Sequence, residues 1–156
     1  MLLFVGLLAW GQGVHQLCQQ CHTEAASDVE EHAHFRKGVT CASCHGSSEK
    51  HRLATGHAPP DRVATRAQVV ALCGSCHPAE RKSYETSKHW AALQAGAKAA
   101  QCATCHGNHA PRAVAKMERT CLSCHASLPA ACAGAGKTDA KLRCATCHPA
   151  HGFAKR

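Results

Sequence analysis

The sequence predicts a mostly α protein with extensive loops and little or no sheet, its short helices wrapped around an interior not made of side chains. Three observations point there. The chain has 156 residues but only three Phe, two Trp and one Tyr, few large apolar side chains for a domain of that length. Its 45% hydrophobic content rests heavily on Ala and Cys, which bury little area each. The residues in excess are Cys and His, at 13 and 14. Charged residues reach only 18%, which does not fit a disordered, self-repelling chain. Thirteen Cys imply an oxidising compartment or a bound cofactor.

One pattern, Cys-x-x-Cys-His, recurs six times, as a search for internal repeats shows. The paired thiols are Cys18 and Cys21, Cys41 and Cys44, Cys73 and Cys76, Cys102 and Cys105, Cys121 and Cys124, and Cys144 and Cys147. The histidines that follow are His22, His45, His77, His106, His125 and His148. Twelve of the 13 Cys are used, leaving Cys132. This is the attachment signature of c-type haem. Thiols separated by two residues reach both vinyl-derived carbons on one porphyrin edge. The next side chain then lies under the iron, where an imidazole nitrogen is an axial ligand. Zinc sites and disulfide frameworks also use paired Cys, but neither requires the His. Six coincidental His have odds on the order of 10⁻⁸. The cysteines are therefore read as thioether sites for six covalently attached haem c groups, and the six histidines as iron ligands. Sharing 156 residues among six motifs leaves 26 for each. The helices must then wrap a stack of haems that supplies the missing core.

The helices follow from local signals. Ser27-x-x-Glu30 reads as a capping box opening a segment that stops at Gly38. Asp61 precedes an Arg62–Leu72 helix running into the third motif. Pro78 and Pro111 stand where first helical positions would be. Thr138 can cap the turn leading to Cys144, and the Ala-Gly tract from Ala130 to Gly136 reads as a loop.

Eight His lie outside the motifs: His15, His32, His34, His51, His57, His89, His109 and His151. Eight candidates suffice to give every iron a second imidazole. His109 and His151 each stand three residues beyond a motif His, turned from their own haem and so expected to serve a neighbour. His89 and His34 stand in comparable positions ahead of Cys102 and Cys41. One of His32 and His34 is expected to ligate, because helical positions two apart face differently; His34 is preferred. His57, ahead of Pro59-Pro60, is preferred to His51, and His15 is a candidate from a flexible arm or for a neighbouring subunit. Met117 could ligate but reads as a packing residue, and Cys132 as a small loop residue.

Tyr84-x-x-Ser87-x-His89 followed by Cys102-x-x-Cys105-His106-Gly107-x-His109 resembles a unit of the multihaem c-type cytochromes with doubled CXXCH motifs. The resemblance covers nearly everything from His15 to His151. It implies distal-ligand roles for His89 and His109, short helices on packed haems, and low-potential bis-His irons. It also implies redox protein partners: a quinol-side donor, and a terminal reductase or outer-membrane cytochrome.

Residues 1–13 are expected to be a secretion signal, with 14–156 forming one hexahaem domain. Met1–Trp10 is apolar and shorter than the about 20 residues a membrane span needs, with Gly11-Gln12-Gly13 behind it. No Lys or Arg precedes it, and a short buried helix is the competing reading. The location expected is periplasmic or secreted. The formal charge is +8, but no basic run interleaved with aromatics points to nucleic acid. Six haems bring about twelve propionate charges, giving a net charge of about −4 reduced and about +2 oxidised. The function expected is electron transfer through closely packed haems. The alternatives are an enzyme with one open-site haem reducing a small nitrogen or sulfur compound, and a homo-oligomer or conducting filament.

Overall fold

The computed structural model describes residues 9–127 and 144–153. Eleven short helices, and no strands, are found among those residues, as the expected mostly α fold requires. The chain divides into two units: Met1–Ala64 with Asn108–Pro111, and Thr65–Gly107 with Arg112–Arg156.

The first unit holds α1 (Ala9–Gln19), α2 (Thr23–Glu31), α3 (Ala33–Arg36), α4 (Cys41–His45) and α5 (Glu49–Leu53). Met1–Leu8, most of the expected leader, lie outside the described residues, and Ala9–Gly13 open α1. α2 starts earlier than its expected cap: His22 is the N-cap, Glu24 sits in the positively polarised first turn, and Ser27 lies mid-helix. The segment breaks at His32, which is extended, and after α3 the chain reaches Gly38 at φ +78. α1 packs on α2 and α4. The residues buried there are Ala26 and three polar ones, His15, Thr40 and Ser48.

The second unit holds α6 (Arg66–Gly74), α7 (Pro78–Tyr84), α8 (Lys88–Gln94), α9 (Cys102–His106), α10 (Val114–Leu122) and α11 (Cys144–Cys147). Pro78 opens α7 as expected. α6 begins later than Asp61 suggests. Thr65 and Gln68 form its capping box, the Gln68 N–H donating to Thr65 Oγ1 at 3.4 Å and the Thr65 N–H to Gln68 Oε1 at 2.9 Å. Asp61 instead accepts from the Ser48 N–H at 2.8 Å and pins the loop after the second motif. α10 starts at Val114, three residues past Pro111. The expected cap Thr138, the Ala130–Gly136 loop and Cys132 lie outside the described residues.

A small core joins Val70, Tyr84, Leu93 and Ala99, with Trp90, Ala92, Cys102 and Phe153 against it. Tyr84 donates its hydroxyl to the Ala100 carbonyl at 2.6 Å. Only Ala26 joins these four as a buried hydrophobic among the described residues, while Leu53 (77% exposed), Val63, Val114, Leu122 and Leu17 face outward. So few buried apolar groups offset little of the entropy lost on ordering a chain of this length.

Candidate functional site

The six motifs fall into two alternating settings. The first, third and fifth lie at the ends of α1, α6 and α10, where the motif His N–H closes a last turn. His22 donates to Cys18 O at 3.0 Å, His77 to Cys73 O at 3.0 Å and His125 to Cys121 O at 2.9 Å. The second, fourth and sixth make short helices of their own, α4, α9 and α11. The small hydroxylated residue between the thiols organises two of these. Ser43 Oγ accepts from the Thr40 N–H at 3.1 Å, and Thr104 Oγ1 accepts from the Gln101 N–H at 3.1 Å. Both then end on a glycine with positive φ, Gly46 at +77 and Gly107 at +80, where only glycine is unstrained.

Consecutive motifs meet through their first cysteines. Cys18 is hydrogen-bonded to Cys41, Cys73 to Cys102, and Cys121 to Cys144. The first and second, third and fourth, and fifth and sixth motifs are thus near neighbours, and Cys105 of the fourth lies near Cys121 of the fifth as well. As free thiols these groups differ. Burial and the neighbouring Cys18 push Cys41 up, and burial and Cys144 push Cys121 up to about 11. The hydrogen bond from Cys73 pulls Cys102 down to about 7.

Four motif histidines face a histidine from outside the motifs. Ring centres are 6.0 Å apart for His22 and His51, 6.2 Å for His45 and His109, 6.0 Å for His89 and His125, and 6.0 Å for His106 and His151. Two imidazoles bound to one metal from opposite sides, each nitrogen about 2 Å from it and each ring centre about 1.1 Å behind its nitrogen, have centres about 6.2 Å apart. The pairs therefore fit a planar tetrapyrrole whose iron takes one protein ligand on each face. A metal cage built from side chains alone needs three or four converging donors. No group of three or more His, Cys, Asp or Glu suited to a metal is found among the described residues.

The second ring nitrogens are held as ligating histidines require. Nδ1 of His45 donates to Arg62 O at 3.0 Å, Nδ1 of His51 to Ala58 O at 2.7 Å, and Nδ1 of His148 to Phe153 O at 3.1 Å. A carbonyl partner fixes the proton on Nδ1 and leaves the Nε2 lone pair for a metal. His89 differs. Its buried Nδ1 has no hydrogen-bond partner, and burial, then His125, lowers its pKa and keeps it neutral. Its ring rests edge-on against Phe153 at 5.0 Å. The Tyr84-x-x-Ser87-x-His89 unit now has a physical reading. Tyr84 anchors α7 in the core, and Ser87 Oγ accepts from the Trp90 N–H at 3.1 Å to start α8. His89 is thereby fixed in the first turn.

The remaining candidates are placed otherwise. His15 is 2% exposed rather than on a flexible arm. Its Nδ1 lies 3.2 Å from Cys41 Sγ, its Nε2 3.1 Å from Glu30 Oε1, and its ring 4.7 Å from Phe35. His32 and His34 stack at 4.4 Å, because His32 is the extended N-cap of α3 and the helical-face argument does not reach it. His57 is exposed in the turn where His51, not His57, faces a motif histidine. His77 Nδ1 lies 4.0 Å from the Glu80 carboxylate. The pairing of His51 with His22 has no signal in local spacing, since it depends on how the loop after α5 turns back.

No family model matches the chain, and no solved structure matches it. The chain is 33% identical over 70 residues to a protein of Geobacter sulfurreducens (strain ATCC 51573 / DSM 12127 / PCA) described as the C-type polyheme cytochrome OmcC. The match covers 38% of this chain, which spans only 9% of that relative. With the thirteen cysteines, the similarity is to a multihaem c-type cytochrome.

Proposed function

We propose that the protein carries six c-type haems and passes single electrons along them, in the periplasm or outside the cell. The anchors are the twelve motif cysteines, and the proximal ligands are His22, His45, His77, His106, His125 and His148. Second ligands are His51 to the iron of His22, His109 to that of His45, His89 to that of His125, and His151 to that of His106. The observation that carries the reading is the set of four imidazole pairs at 6.0 to 6.2 Å. The three contacts between first cysteines support it by bringing motifs together two by two. The scarcity of buried side chains supports a core made of cofactor.

When bound, each haem supplies a one-electron couple. The chain's residues anchor it and set the charge around it, and at four of the six they would close both axial positions. Closed axial positions favour electron transfer over bond-making with a substrate. Partners of this function are redox proteins: a quinol-side donor, and a terminal reductase or outer-membrane cytochrome. Intact mass after maturation in a competent host tests the cofactor, and redox-titrated visible and EPR spectra test the ligands. Six covalent haems with mostly low-spin irons are expected. A bare polypeptide mass, or mostly high-spin irons, would sink the proposal.

A further inference from the structure

We propose that Arg62 and Arg112 are positioning residues that grip the peptide behind two axial ligands, His45 and His106, and raise the reduction potentials of the haems those ligands serve. The inference rests on the reading that the motifs carry haem. Short helices such as α4 and α9 leave their last carbonyls without partners inside the helix. Arg62 donates from Nε to Cys44 O at 2.6 Å and from Nη2 to Ser43 O at 3.2 Å. Arg112 donates from Nη1 to Thr104 O at 2.7 Å and to Cys105 O at 3.3 Å. The carbonyls gripped are those of the same two motif positions, the third residue and the second cysteine.

Chain proximity does not explain the match. Arg62 lies 18 residues from Cys44, whereas Arg112 lies 7 from Cys105. The intervening loops differ in length and in course, yet both deliver a guanidinium to the same place. The segments carrying them are alike: His57-Ala58-Pro59-Pro60-Asp61-Arg62-Val63 and His109-Ala110-Pro111-Arg112-Ala113-Val114. A proline before the arginine fixes the backbone in each. At the second motif the grip is doubled, because the Arg62 carbonyl also accepts from His45 Nδ1 at 3.0 Å. Arg62 and Arg112 each donate to the carbonyl of the cysteine directly before a motif histidine.

A fixed positive charge beside the ligand peptide favours the less positive, reduced iron, so it raises the potential. The test uses fully matured protein carrying Arg112→Gln or Arg112→Lys, with potentials read by spectroelectrochemical titration and ligand sets by EPR. Arg112→Gln is expected to raise the oxidised-to-reduced ratio of one haem about tenfold at fixed potential, a fall of about 59 mV for one electron. Arg112→Lys keeps the charge and is expected to hold the midpoint near that of the native protein. A Gln variant that titrates like the native protein would overturn the proposal, as would a Lys variant shifted as far as Gln. Should Arg112→Gln fail to retain its haem, Arg62→Gln gives the same reading at the haem of His45. Absence of covalent haem from the native protein defeats the functional reading itself. Unchanged midpoints in fully haem-loaded variants defeat this inference alone.

Discussion

His106 and His151 face each other with ring centres 6.0 Å apart and planes 21° apart, although the chain passes through two further motifs between them. On the proposed reading, rings at that spacing would hold one iron between two imidazoles. His151→Ala is expected to convert one haem's share of the low-spin EPR intensity to a high-spin signal and to open one carbon monoxide site. An unaltered spectrum, with all haems retained, would remove His151 from the ligand set.

A second substitution pair separates two neighbours. His51 faces His22 and is held through Nδ1 by Ala58 O at 2.7 Å, whereas His57 is exposed. His51→Ala is expected to yield one high-spin iron and His57→Ala none. The reverse result would restore His57 as the ligand.

Two glycines at positive φ, one before and one after the second motif, give a matched stability comparison. Gly38 and Gly46 have nearly equal φ, +78 and +77, but a Cβ at Gly38 meets nothing within 4 Å, while one at Gly46 would lie 2.8 Å from Asp61 Oδ2. Gly38→Ala is expected to cost about 1 kcal/mol from backbone strain alone. Gly46→Ala is expected to cost about 1 kcal/mol more, because Asp61 must leave the Ser48 N–H. Equal urea midpoints for the two variants would rule out the Asp61 contact as the cause.

Tyr84 links the core to alkaline stability. Burial, and with free thiols the neighbouring Cys102 and Cys105, push its hydroxyl up to about 12. The folded state therefore holds the phenol neutral where the unfolded chain ionises near pH 10. This contribution is complete below about pH 10 and is lost as pH rises towards about 12. Tyr84→Phe removes the hydrogen bond to Ala100 O and is expected to cost about 1 kcal/mol at neutral pH. It also flattens the fall in stability between about pH 10 and pH 12. Unfolding midpoints at two pH values check both.

The coarse chemistry was legible in the sequence because it is local: two thiols and an imidazole within five residues are the attachment signature of haem, in line with the similarity to a polyheme cytochrome. The helical class was legible from the shortage of large apolar residues, and Pro78 marked the start of α7. Pairing was not legible. His45 meets His109, and His22 meets His51, through turns whose course depends on Asp61 holding Ser48 and on Ala58 holding His51. Nor did six copies of one pattern reveal that odd motifs finish longer helices while even ones stand alone. That difference lies in the residues before each motif, such as the Thr65–Gln68 box that starts α6.

On the proposed reading, the span between His45 and His109 would impose an order on maturation. Chains are delivered from the amino end first. His22 can find His51 before the third motif has emerged, but His45 must wait with one open face until the fourth has passed. A chain halted after Gly107 lacks both His109 and His151, so on that reading it is expected to leave the irons of His45 and His106 each open on one face and to take up more carbon monoxide than the whole chain. Release of a half-made chain before its later histidines arrive would leave an iron free to bind small molecules that the completed fold is built to keep out.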